Sequence, residues 1–219
     1  VHTMIRVGRQ ISSAILDTAQ QRDTNLIILG WPGYTQSHNV AFGNVIDLLA
    51  KNPPCDIAVA RFRQREVPHR ILIPTAGGLH TKLAIELALA QADQYEREYP
   101  ERHPTITLLY VTPEDTNSGA MARGYELLRS LSAGVDYPLE ALVVTAPDIV
   151  TGILREAEEH NLVIMGATEE RIFDQRLFGS VSERVAREST KTVIMVKRYR
   201  GPVRSWLRRL LLPKGAALN

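Results

Sequence analysis

With 219 residues, 44% of them apolar and 23% charged, the chain has the makings of a folded protein with a buried core, as one large unit or two small ones. No apolar run approaches the roughly 18 residues of a membrane-spanning helix, no basic-then-apolar leader opens the sequence, and the single cysteine, Cys55, excludes an internal disulfide. The net charge of +2 hides a division: Lys197 onward carries seven cations and no acid, leaving 19 basic against 24 acidic residues elsewhere, which argues against a nucleic-acid-binding body. These features predict a cytoplasmic protein.

Apolar runs of strand length alternate with segments of helical period. The expected strands are Met4–Val7, Leu26–Leu29, Ile57–Ala60, Ile71–Ile73, Ile106–Val111, Leu139–Val144, Leu162–Met165 and Val193–Val196. Between them, Ile11–Gln20, Lys82–Arg97, Ala120–Ser132, Ile149–His160 and Val181–Arg187 read as helices; Leu83, Leu87 and Ala90, for example, fall on one helical face. Continuous Val/Ile/Leu strands separated by helices predict a parallel sheet covered on both faces. Cys55, just before Ile57, reads as a small residue at a strand entrance.

An internal repeat sets the organisation. Leu26–Gly30, Phe42-Gly43-Asn44-Val45 and Ile57–Ala60 reappear 136 positions later as Leu162–Gly166, Phe178-Gly179-Ser180-Val181 and Val193–Val196. The second copy has two strands and two helices ahead of its repeated part, whereas the first begins at Val1, inside an apparent strand, as a fragment of something longer would. The expected division is a half-unit over 1–62, a complete unit over 63–200 with Arg61–Arg70 as linker, and a tail over 201–219.

Each copy carries a glycine-spaced loop between a strand and a helix. Glycines admit positive φ and close approach of backbone to a ligand, and a helix N-terminus offers free N–H groups to an anion. Asn44 and Ser180 have the chemistry of N-caps. The second copy keeps Gly166, Gly179 and Ser180 of the pattern Gly-x-x-Gly-x9-Gly-(Ser/Thr), and the first keeps Gly30, Gly33 and Gly43, with Asn44 last.

With this spacing, and with Ile71-Leu-Ile-Pro74-Thr75, Leu108-Leu-Tyr-Val111 and the last strand after Thr190-Lys191, the sequence resembles the universal stress protein family over nearly all but its tail. The resemblance implies an open five-stranded parallel sheet of order 3-2-1-4-5 with helices on both faces, plus a second half-copy. It also implies ATP, or another adenine nucleotide, over the carboxyl ends of the strands, where the switch-point rule places ligands. The implied seat in the complete unit is Pro74, Thr75, Ala76, Val111, Gly166, Glu169, Gly179 and Ser180. In the half-unit it is Gly30, Gly33, Gly43 and Asn44, without base-binding strands. Two departures weaken the complete seat: Ala76 stands where the family's ATP binders have Asp, and Glu169 where they have Gly. A carboxylate facing phosphates costs on the order of several kcal/mol when partly desolvated. The loop Ala76–Thr81 also resembles the pyrophosphate loop of ATP-pyrophosphatases, with Ala76 and His80 replacing its Ser and Asp; paired glycines still suit a backbone nest.

No nucleophile with a placed base appears, and the six histidines are scattered, expected at the surface and without metal-ligand spacing. The expectation is therefore a regulatory module that binds or senses rather than catalyses, without a metal. It pairs as a homodimer or within the chain, the strand Val193–Val196 being an edge suited to pairing across a two-fold axis. The tail places Val203, Trp206, Leu207, Leu210 and Leu211 on one stripe opposite Arg204, Arg208 and Arg209, suited to a membrane surface, a second copy or a parent transporter. Tandem units of this kind accompany some amino-acid and cation transporters, which makes the cytoplasmic region of a transporter the expected context; a nucleotide-free assembly module is the alternative.

Overall fold

The computed structural model describes residues 2–33, 42–51, 53–63, 66–114, 119–167 and 177–199. In chain order these form α1 (Ile11–Gln21), β1 (Leu26–Gly30), α2 (Asn44–Lys51), β2 (Asp56–Arg61), β3 (Arg70–Pro74), α3 (Leu79–Glu98), β4 (Thr105–Pro113), α4 (Gly119–Ser132), β5 (Leu139–Ala146), α5 (Ile149–Ala157), β6 (Leu162–Gly166), α6 (Ser180–Glu188) and β7 (Thr192–Lys197). Helix α5 starts where Asp148 caps it, its carboxylate accepting the N–H groups of Val150 and Thr151 at 3.0 and 3.1 Å.

One seven-stranded sheet runs β1-β2-β7-β6-β3-β4-β5. Its last five members, β5-β4-β3-β6-β7, are the expected 3-2-1-4-5 order of the complete unit, joined by parallel ladders. Helices α3 and α4 cover one face over Ile71, Ile73, Ile106, Leu108 and Ile164. The other face, with Leu72, Leu109, Val163 and Met195, packs on α1, α2, α5 and α6. Burial on both faces explains why the central strands are apolar without alternation.

The half-unit joins this sheet through its own last strand. Strand β2 pairs with β7 antiparallel, with Val59 opposite Met195 at the centre and Ile57 opposite Lys197 at one end. Met195 is Val59's counterpart in the repeat, so the two units meet about a local two-fold axis through that pair. The edge strand expected at Val193–Val196 is thus interior: its pairing partner lies in the same chain. Phe42 and Phe178, also counterparts, meet edge-on with centroids 5.5 Å apart.

Met4–Val7 is not a strand. Ile5 and Val7 are 91% and 101% exposed. Their counterparts Val143 and Thr145 lie in β5, which pairs with β4, whereas among the described residues no strand pairs with Met4–Val7. A strand without a ladder leaves its backbone groups to water, so the apolar run alone does not make one. The tail, 201–219, lies outside the described residues.

Candidate functional site

The sheet has a switch point between β3 and β6, where the chain departs from β3 in one direction and returns to β6 on the other side. Their ladder is only two residue pairs long, Ile71 with Leu162 and Leu72 with Val163. Beyond it the two strands are not paired, and the switch-point rule places a ligand crevice at these carboxyl ends.

Four residues foreseen for the site border this crevice. Pro74 ends β3. Thr75 donates its N–H to Leu109 O (2.8 Å), accepts the N–H of Gly77 at Oγ1 (2.9 Å), and places that oxygen 2.7 Å from Thr81 Oγ1. The loop therefore wraps around the Thr75 hydroxyl, with Ala76 exposed on its outside. Gly77 and Gly78 need their glycine character, at φ 91° and 94°. The expected nest there has one N–H, that of Gly77, already engaged. Gly166 ends β6 beneath the first turn of α3, where an added Cβ would lie 2.9 Å from His80 Cβ and 3.2 Å from Thr81 N. Its carbonyl accepts the Ser182 hydroxyl at 3.1 Å.

Val111 is placed differently. Its side chain packs under α5, where an added Cβ on Gly152 would come within 2.6 Å of Cγ1. Only its backbone is left to serve a ligand. Glu169 lies outside the described residues.

Ser180 is not an N-cap. Gly179 holds the cap position of α6 at φ 89°, without a side-chain hydrogen bond, and Ser180 is the first helical residue. Asn44 likewise opens α2 rather than capping it. Carboxylates one turn inside the helices fix the two loops: Glu183 Oε1 accepts the N–H groups of Leu177 (3.2 Å) and Phe178 (3.4 Å), and Asp47 Oδ1 accepts that of Phe42 (3.0 Å). Sequence reading missed this pair, although acids standing 136 positions apart were its signal.

An open cleft beside the crevice is lined by Pro113 at the end of β4, Asp148 and Ile149 at the start of α5, and Ser180, Arg184 and Arg187 of α6. Hydrogen bonds from the Thr151 hydroxyl and N–H hold the Asp148 carboxyl below its usual range. Arg184 lies 3.9 Å from Asp148 and pairs with Glu188 at 2.7 Å. The cleft thus sets Arg184 and Arg187 among the carboxylates of Asp148 and Glu183, with Asp148 occupying the N-terminus of α5. Among the described residues no group of His, Cys, Asp and Glu is arranged to hold a metal ion.

The glycines of the half-unit have different surroundings. Among the described residues nothing lies within 4 Å of a Cβ built on Gly30 or Gly43, whereas one on Gly33, at φ 90°, would clash with the Arg61 side chain. Arg61 donates to the carbonyls of Ala186 and Arg187 at the end of α6, and the guanidinium groups of Arg61 and Arg187 lie 5.3 and 5.5 Å from the centre of the Trp31 ring. Burial, with Arg63 and Arg187 nearby, lowers the pKa of Arg61. Its counterpart Lys197 reaches Ala50 O, the counterpart of Ala186 O, at 3.1 Å. Gly33 therefore lies against the Arg61 side chain that reaches across the seam.

His80, expected at the surface, is buried, and its Nδ1 accepts the Arg198 N–H at 2.8 Å.

The sequence model of the universal stress protein family matches residues 1–61 and 68–197. The Na(+)/H(+) antiporter NhaS5 of Synechocystis sp. is 28% identical over 201 residues, which takes in 89% of this chain and 28% of the antiporter. The chain thus spans little more than a quarter of that relative's length. Among solved structures, a universal stress protein from Archaeoglobus fulgidus superposes with a TM-score of 0.60 at 15% identity, over 86% of this chain and 67% of that one. A functionally unknown protein from Pseudomonas aeruginosa PAO1 does so at 0.55 and 16%, over 87% and 69%. At these identities the superpositions speak for the fold alone. Repeat, strand order and sequence match together place this chain in the universal stress protein family.

Proposed function

We propose that the chain is a regulatory module whose complete unit takes an adenine nucleotide weakly in the crevice between β3 and β6, and that it serves a cation/proton antiporter from the cytoplasmic face of the membrane. The unpaired carboxyl ends of β3 and β6 carry this reading, because the switch point of an open sheet is where a ligand is expected. Gly179 leads into the N-terminus of α6 beside it, and Arg184 and Arg187 add positive charge. Ala76 and Glu169, in place of the family's Asp and Gly, argue for weak rather than tight binding. The module acts by binding, not catalysis. The transporter context rests on the likeness to NhaS5. No helix among the described residues is long and apolar enough to cross a membrane.

Calorimetric titration of ATP into the purified chain tests the nucleotide reading. Heat that saturates with an affinity in the high micromolar to millimolar range, weakened by Gly179→Val, supports it; silence at millimolar ATP refutes it. The second reading, assembly without nucleotide, draws on the seam, which joins two units through the strand that would otherwise be an edge.

A further inference from the structure

Arg198 and Tyr199, which follow β7, are tied to both units at once. The Arg198 guanidinium pairs with Glu86 of α3 and stands 3.6 Å, from Nε, off Asp56 Oδ2 of β2 in the half-unit. Tyr199 donates its N–H to Asp56 Oδ1 at 2.8 Å. Arg198 and Asp56 are 8% and 7% exposed, so the contact is largely shielded from solvent and matters more than a surface ion pair. The backbone at this point is fixed by His80, whose Nδ1 accepts the Arg198 N–H. His80 is itself wedged against the end of β6, where Gly166 leaves room for its Cβ.

This bond has a protonation requirement. Nδ1 accepts only while it carries no proton, which puts the imidazole proton on Nε2. Adding a second proton turns Nδ1 from acceptor into donor, facing the Arg198 N–H. Among the described residues, the charged groups near the bond include Arg198 after β7, Asp56 from β2 and Glu86 from α3; β6 contributes the backbone of Gly166.

We propose that His80 is a proton-responsive lock between the two units: neutral, it holds the chain after β7 in place for the Arg198–Asp56 contact, and protonated, it releases that chain and loosens the seam. The lock is independent of nucleotide binding. It concerns a bond between α3 and the end of β7, not the contents of the crevice.

Hydrogen exchange at the Arg198 and Tyr199 amides, in the full chain with and without His80→Asn, tests the lock. An Asn side-chain oxygen is able to accept the same N–H and does not titrate. Between pH about 7.5 and 5.5, a range that crosses ordinary histidine titration but stays above that of carboxylates, intrinsic exchange varies alike in both proteins. The ratio of wild-type to variant exchange is expected to rise about fivefold as pH falls, the effect of losing one ordinary hydrogen bond. A ratio that stays flat overturns the proposal. Should the variant fail to fold, nitrogen NMR of the wild-type imidazole takes its place. Loss of the Nε2–H tautomer must then coincide with loss of Arg198 amide protection, and protection that persists after His80 has titrated refutes the lock.

Discussion

The two units place the same repeat residues in opposite surroundings. Ile164 in β6 is 1% exposed beneath α3, while its counterpart Ile28 in β1 is 61% exposed, because among the described residues no helix covers that face of β1. Gly166 is pressed by His80, and Gly30 has open space among the described residues. At the seam the difference disappears: Val59 meets Met195, Phe42 meets Phe178, and Arg61 and Lys197 each reach across to the end of the other unit's last helix. Local sequence is therefore shared, and the energetic worth of a residue is set by what the rest of the chain lays against it.

The sharpest way to break this comparison is to truncate the two isoleucines. Ile164→Ala is expected to cost about 2–5 kcal/mol of stability in urea unfolding, and Ile28→Ala less than about 0.5 kcal/mol. Equal costs would mean that β1 is covered after all.

Next comes the strand entrance, where Cys55 in the half-unit corresponds to Lys191, which pairs with Glu158 at 3.2 Å. Burial first, and Asp56 second, push the Cys55 thiol from 9.0 up to about 11. The folded value lies above the unfolded one, so the thiol's contribution is complete below pH 9.0 and is lost as pH rises toward about 11. Up to about 2–3 kcal/mol of stability should disappear over that window. Cys55→Ala should flatten this part of the pH–stability curve, and an unchanged slope would assign the loss to other groups.

The glycine pair gives a smaller contrast. Gly166→Ala should destabilise by about 1–3 kcal/mol through overpacking against α3, and Gly30→Ala should stay within about 0.5 kcal/mol. Smallest, and deliberately symmetric, are the loop-fixing carboxylates: Asp47→Ala and Glu183→Ala should each cost about 1 kcal/mol. Markedly unequal values would show that the two loops are not held alike.

The sheet order was legible because strands buried on both faces need unbroken apolar runs and because the repeat keeps constant spacing. What escaped sequence reading depends on contacts between distant residues. A repeat announces two copies but not the operation relating them, so the antiparallel join of β2 to β7 was open between one chain and two. Met4–Val7 has the residues of a strand but, among the described residues, no neighbour to complete it. Asn44 and Ser180 have capping chemistry, yet Gly179, at positive φ, takes the cap position of α6 and the acids one turn further on accept the loop N–H groups. His80 looked like a surface histidine because its partner, Arg198, is 118 positions away. In the crevice, the glycines of the complete unit were visible as a motif, whereas the packing of Arg61 against Gly33 required knowing that β2 pairs beside β1.

Because β2 and β7 belong to one polypeptide, the axis between them carries no obligation of sameness. In a dimer of identical subunits every substitution is made twice, and a residue near the axis must suit itself. Here Val59 faces Met195, and an arginine on one side answers a lysine on the other. Such a covalently joined pair is free to specialise, each half answering to its own surroundings.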